Sequence, residues 1–187
     1  MRKFSLFILL FSSLYFSAQN LSEVQKLESL CKVWGFLKYY HPNVAKGSFN
    51  WDQQLFQKID ELENINDKNQ LNELYSNWID SLGKVEECKE CSKKEDKIYF
   101  LKNFYLSWIN NQNTFNDTVI QKLNTIQNNI NLGENHYFGK DGRKAFFRNE
   151  NSYGSKFTSK QISLLEFFRY WNYVEYFFPY KYETDQN

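Results

Sequence analysis

Apolar residues recur every three or four positions along most of this chain, the period of a helix with one buried face. The first stripe runs through Leu27, Leu30, Cys31, Trp34, Leu37 and Tyr40. Ser22 and Gln25 precede it as a capping-box pair, S-x-x-Q. Pro42 ends it, because the residue before a proline is pushed out of the α region. A second helix is expected to start near Asp52, with Leu55, Phe56, Ile59 and Leu62 on one face. A third starts at Asp67, with Gln70 completing another box-like pair. It carries Leu71, Leu74, Tyr75, Trp78, Ile79 and Leu82, and stops at Gly83. Ile98, Leu101, Tyr105, Trp108 and Ile109 form a fourth run. A polar break separates it from a fifth, Val119, Leu123, Ile126 and Ile130. The last helix opens on T-x-x-Q at Thr158 and runs through Leu165, Phe168, Trp171, Val174 and Phe178 to Pro179.

Residues 133–157 break this pattern. Four of the seven glycines lie there, and two short aromatic runs, His136–Phe138 and Ala145–Phe147, flank Gly139-Lys140-Asp141-Gly142. That arrangement reads as a β-hairpin or an irregular loop. The expected fold is therefore mainly α, a small bundle of five or six helices with a short β-hairpin near residues 134–149.

One internal echo stands out. The segment Lys32–Pro42 (KVWGFLKYYHP) aligns with Arg169–Pro179 (RYWNYVEYFFP). Both read basic-x-Trp-x-aromatic-aliphatic-charged-Tyr-aromatic-x-Pro, and the only two prolines of the chain close the two copies. Two copies do not make a solenoid. They point to two helices in similar packing roles, set against each other.

Composition narrows the function classes. Among 187 residues, 23 Lys and Arg face 22 Asp and Glu, a formal net charge of +1. That balance excludes the basic excess of a general nucleic-acid binder and the polybasic patch of a surface anchor. Two His and three Cys leave little material for a rich metal site. The outlier is 18 Phe, 13 Tyr and 5 Trp. The five tryptophans fall mostly on helical apolar stripes, where core packing is the default reading. Where rings are left bare they form a platform for sugars, peptide side chains or a neighbouring domain. The first candidates for such a platform are Tyr39, Tyr40, Tyr176 and Phe177, which flank the main stripes.

The N-terminus reads as an address. Met1-Arg2-Lys3 is a positive n-region, Phe4–Phe16 an uncharged apolar h-region, and Ala18 a small residue before a cleavage point. This is the layout of a secretory signal peptide, residues 1–18, and the apolar run is shorter than the roughly 20 residues a spanning helix needs. The expected chain is 19–187, exported to a periplasmic or extracellular compartment, without a stable membrane anchor. In an oxidising compartment Cys88 and Cys91, a C-x-x-C between charged residues, can close a small disulfide. The same spacing is half of a zinc site, and a thioredoxin-type role would need a βαβ context that these helical, charged flanks do not offer. Cys31 sits on an apolar helix face as a small buried hydrophobe.

Two blocks, Leu30–Phe56 (LCKVWGFLKYYHPNVAKGSFNWDQQLF) and Leu164–Asn187 (LLEFFRYWNYVEYFFPYKYETDQN), resemble the start of secreted bacterial serine peptidases of the S41 type, the C-terminal-processing or tail-specific peptidases. The stretch Phe147-Arg148-Asn149-Glu150 resembles that region too. The resemblance covers nearly the whole chain after the signal peptide, most strongly at its two ends. It implies a helical region between signal peptide and protease part. It also implies that the catalytic Ser and Lys, and the module that captures substrate C-termini, lie in a domain following these blocks. It carries no catalytic residue onto this sequence. The chain is then expected to be an N-terminal fragment or truncated product. Its partner would be a peptide or protein substrate engaged through the protease part, with no metal, no cofactor and no nucleic acid.

The chain's own residues offer little further chemistry. There is no H-E-x-x-H, P-loop, G-x-G-x-x-G or nucleophile elbow. His41, before Pro42, reads as helix-end packing, and His136 as a surface or turn residue. Asp52 is expected to cap the second helix with Trp51 packed behind it. No catalytic, cofactor-binding or metal-binding residue is assigned. The alternative reading is a stand-alone exported binding module that uses an aromatic surface for peptides or glycans.

Overall fold

The computed structural model describes residues 21–91, 106–141, 144–154, 156–178 and 180–181. The signal-peptide reading therefore lies outside the described residues. So do Ile98, Leu101 and Tyr105 of the fourth apolar run. The described chain is mainly α with one small hairpin.

Helix α1 (Glu23–Tyr40) starts on a complete capping box: Ser22 accepts the Gln25 N–H, and Gln25 accepts the Ser22 N–H. His41 caps its end, and Pro42 then restarts the chain as the first residue of the one-turn helix α2 (Pro42–Ala45). Helix α3 (Trp51–Leu62) is capped by Asn50, which accepts the Gln53 N–H. The capping role expected of Asp52 thus belongs to Asn50. Asp52 lies inside the first turn, buried, with its carboxylate bonded to α6 (Ser159–Phe177). Helix α4 (Lys68–Ser81) is capped by Asp67, while Gln70 reaches back to the Asn66 N–H, one residue off the expected pair. Gly83 follows its end at φ +88°, a conformation that costs glycine no Cβ clash.

The described part of the fourth run is a single 3-10 turn, Leu106–Asn110. Helix α5 (Asp117–Asn128) is capped by Asn116 and leaves Ile130 beyond its end. Strands β1 (Phe138–Asp141) and β2 (Lys144–Phe147) pair antiparallel with Phe138 opposite Phe147. Helix α6 opens on the second capping box, Thr158 with Gln161.

Helix α1 is the centre. From Ser29 to Tyr39 every residue except Lys32 is buried, as expected of a helix surrounded by its neighbours. It packs against α2, α3 and α6; α3 also touches α6, and α4 pairs with α5. Trp34 of α1 and Trp51 of α3 donate their indole N–H groups to each other's carbonyls, both at 3.1 Å. Trp78 of α4 stacks on Trp51 with ring centroids 5.2 Å apart.

The two echo helices do lie against each other, and they run parallel. Lys160 of α6 pairs with Glu23 of α1, Asn172 meets Gly35, and Tyr176 meets Tyr39. Each pair is separated by the same 137 positions, the offset of the sequence echo. The contact at Gly35 is close: a Cβ there would come within 1.6 Å of Asn172 Oδ1. Asn172 Nδ2 donates across the interface to the Cys31 carbonyl at 3.2 Å and within its own helix to Phe168 O at 2.8 Å.

Candidate functional site

Three residues after Gly35, Lys38 buries its whole side chain. Its ammonium lies 2.5 Å from Glu150 Oε1 and 4.9 Å from the ring centres of both Trp34 and Tyr137. Arg169 of α6 donates from Nη2 to Asp52 Oδ2 at 2.7 Å and to Asn151 O at 3.0 Å, and its Nε is 3.8 Å from Glu150 Oε2. Tyr153 donates its hydroxyl to Asp52 Oδ2 at 3.0 Å. Each buried cation therefore has a carboxylate partner, and Arg169 Nη1 also reaches the exposed Glu166 at 3.4 Å, the arrangement that makes buried charge tolerable. Burial lowers the Lys38 pKa, and the Glu150 carboxylate works against that shift.

The four charges come from four segments: α1, α3, α6 and the loop after β2. That loop is further held by Phe157 against Phe56, ring centres 4.1 Å apart. The cluster ties these segments together, with Lys38 wholly buried and Glu150 partly open to water. Two surface clefts among the described residues, one beside Glu23 and Lys160 and one beside His136, are not lined by Lys38, Asp52, Glu150 or Arg169. A group that acts on a substrate must reach it.

The histidines and cysteines separate in the same way. His41 is fully buried, and burial pushes its pKa down to about 4. The Gly83 backbone approaches the ring without reaching hydrogen-bond geometry and offsets that shift only in part. His136 lines an open cleft beside the hairpin. Cys31 is buried and its thiol is pushed up to about 12, chiefly by desolvation, so it is inert as a nucleophile. Cys88 and Cys91 are joined by a disulfide, and the Cys88 N–H donates to Asn129 Oδ1 at the end of α5. Among the described residues no three His, Cys, Asp or Glu side chains gather as a metal site, and no helix is long and apolar enough to cross a membrane.

The aromatic platform is not where the sequence placed it. Tyr39 and Tyr176 are buried, at 8% and 5% exposure, while Tyr40 and Phe177 are half-buried. These four rings are the interface of the parallel pair, with Tyr39 centred 5.4 Å from Tyr176 and 5.0 Å from Phe177. The exposed rings of α6 are Phe167, Tyr170 and Tyr173, off its buried face; Phe146 of β2 and Tyr180 after the helix are exposed as well. Phe147 packs against Tyr173, with ring centres 5.0 Å apart. Phe167, Tyr170 and Tyr173 fall off the buried α6 stripe of Leu165, Phe168, Asn172 and Tyr176.

Set against protein-family models, curated proteins and solved structures, the chain matches none of them.

Proposed function

We propose that this chain is the N-terminal, non-catalytic helical region of an exported serine peptidase of the S41 type, where it serves as a scaffold for the protease part. The observation that carries the reading is the convergence of the resembling segments. Lys38, Asp52, Glu150 and Arg169 come one each from the K-Y-Y-H-P, N-W-D, F-R-N-E and F-R-Y-W-N motifs, and they meet in one buried cluster. Residues so used hold a framework and perform no hydrolysis. The bare aromatic face of α6 is then the surface on which the protease part rests.

The second reading is a stand-alone exported module that binds peptides or glycans through Phe146, Phe167, Tyr170, Tyr173 and Tyr180. The exposure of these rings favours it as well. Intact mass separates the two. An antibody against residues 20–187 is used to recover the native protein from the source cells. A species far heavier than 22.6 kDa that cleaves peptides supports the peptidase reading. A species slightly lighter than 22.6 kDa, beginning at Gln19, overturns it and leaves the binding module.

A further inference from the structure

The echo gives five residues of α1 a counterpart on α6, each 137 positions on. Leu27, Leu30, Trp34, Leu37 and His41 correspond to Leu164, Phe167, Trp171, Val174 and Phe178. Steps alternating between three and four residues make each set a seam that can receive a neighbouring helix. On α1 the seam is covered: Leu30, Trp34, Leu37 and His41 are fully buried. Helix α3 lies antiparallel over its first part, with Trp51 stacked on Trp34 at 6.5 Å and with Ile59 and Leu62 sharing a cleft with Leu27. On α6 the seam is open. Phe167 is 57% exposed, and Leu164, Trp171, Val174 and Phe178 are half-buried.

Residues that meet across α1 and α6 are each other's counterparts: Glu23 with Lys160, Gly35 with Asn172, Tyr39 with Tyr176. Counterparts meet in this way when an approximate two-fold axis runs along the pair. Helix α3 uses both members on one side of that axis. It stacks Trp51 on Trp34 of α1 and gives Asp52 to Arg169 of α6. Exchanging the two helices turns those partners into Trp171 of α6 and Lys32 of α1. Among the described residues the ion pair of Lys32 is with the exposed Glu28 of its own helix, a contact of little worth. No residue of the α6 seam is charged, and beside it Arg169 engages Glu166 while Glu23 and Glu63 engage Lys160. The open surface therefore complements an uncharged helix face with one acidic residue at its edge.

We propose that the open seam of α6 receives one helix of the protease part. That helix sets an aromatic ring on Trp171 and an adjacent carboxylate against Lys32, as Trp51 and Asp52 of α3 do with Trp34 and Arg169. Its source rests on the peptidase reading. Its fit is that of an amphipathic helix in a groove, anchored on side chains spaced by three and four residues.

The test uses the full chain with its disulfide intact. The probe is a synthetic peptide of Asn50–Leu62 (NWDQQLFQKIDEL), which carries the ring, the acid and the apolar face that α3 sets on α1. It is titrated into the chain, with amide and side-chain resonances followed by NMR. The expected result is a saturable shift along Leu164–Phe178 and at Lys32. Trp51→Ala in the peptide weakens binding at least about tenfold, the loss of a central ring anchor. Phe167→Glu and Lys32→Glu in the chain weaken it as well, with the far-UV helical signal unchanged. Glu73→Lys, exposed on α4, leaves it unchanged. Absence of a saturable shift overturns the proposal. So does equal binding by Phe167→Glu, or shifts at Leu30, Trp34 and Leu37 instead, which mean exchange with the resident α3. Intact mass decides the peptidase reading separately. Binding at the seam together with a native species slightly lighter than 22.6 kDa overturns the protease part as the source of the helix.

Discussion

Removing the charge of Glu150 tests the buried cluster directly. Lys38 is wholly buried; among the described residues its one carboxylate within 4 Å is Glu150 at 2.5 Å, and the rings of Trp34, Tyr39 and Tyr137 lie near it. Breaking a buried pair by deleting one partner costs about 3–5 kcal/mol, because the other charge stays in the interior. Two features reduce that here. Glu150 is 23% exposed, so water reaches part of the pair, and the ring faces offer cation–π attraction of about 2 kcal/mol. Glu150→Gln should therefore cost about 3 kcal/mol. Lys38→Met should cost less, about 1–2 kcal/mol, since the remaining carboxylate keeps water and Arg169 at 3.8 Å. The double variant should be more stable than Glu150→Gln alone, because neither charge is left unpaired. The pH dependence has a definite sign. The Lys38 pKa is lower in the folded chain than its ordinary 10.5, so the unfolded chain binds the extra proton. Stability then rises as pH climbs towards 10.5, and more steeply in Glu150→Gln. Urea titrations followed by tryptophan fluorescence measure all of this. Additive single and double costs, or a Glu150→Gln variant within about 0.5 kcal/mol of the parent, would refute the reasoning.

Three further outcomes are expected. Gly35→Ala should destabilise by at least about 1–3 kcal/mol, because its Cβ meets Asn172 Oδ1 at 1.6 Å, and Gly35→Ala/Asn172→Ala should recover part of the loss; thermal unfolding of the three variants decides. His41 has a folded pKa of about 4 against an ordinary 6.5, so its contribution is complete above pH 6.5 and is lost as pH falls towards 4, a span of up to about 3 kcal/mol. His41→Asn should flatten that acid slope, and denaturation at pH 7, 5 and 4 reads it. Cys88→Ser/Cys91→Ser should cost no more than about 2 kcal/mol, since the bridge closes a loop of only four residues. A larger fall in the urea midpoint would show that this disulfide holds more than its own turn.

The helices were legible because their signals are local. The capping boxes at Ser22/Gln25 and Thr158/Gln161 form as read, and the apolar stripes fall on buried faces. The parallel pairing of α1 with α6 was legible only as an echo, since no local rule says that two similar helices must touch. The buried cluster was not legible at all. Lys38, Asp52, Glu150 and Arg169 each look like an ordinary solvated charge, and only tertiary closure makes them neighbours. Asp52 was misplaced for a local reason: Asn50 and Asp52 both suit a helix start, and the chain turns one residue earlier than expected. The exposed aromatics were misassigned because ring-rich helices carry apolar residues on both faces. Periodicity then does not say which face wins.

That ambiguity explains why a chain with so many rings keeps charge in its interior. Aromatic residues on both α1 and α6 supply burial, but ring packing is not directional enough by itself to fix how far α6 slides along α1. Gly35 against Asn172, and the four charges with their partners, are satisfied in the observed register. A buried polar group can select a single arrangement even where an apolar one would be as stable. For this protein that selection is a hypothesis with a clear consequence. Neutralising all four charges together, as Lys38→Met, Asp52→Asn, Glu150→Gln and Arg169→Met, should leave a helical chain of comparable stability with broadened NMR resonances and a weakened near-UV signal. Resonances as sharp as the parent's would mean that Gly35 and the ring packing set the register without the charges.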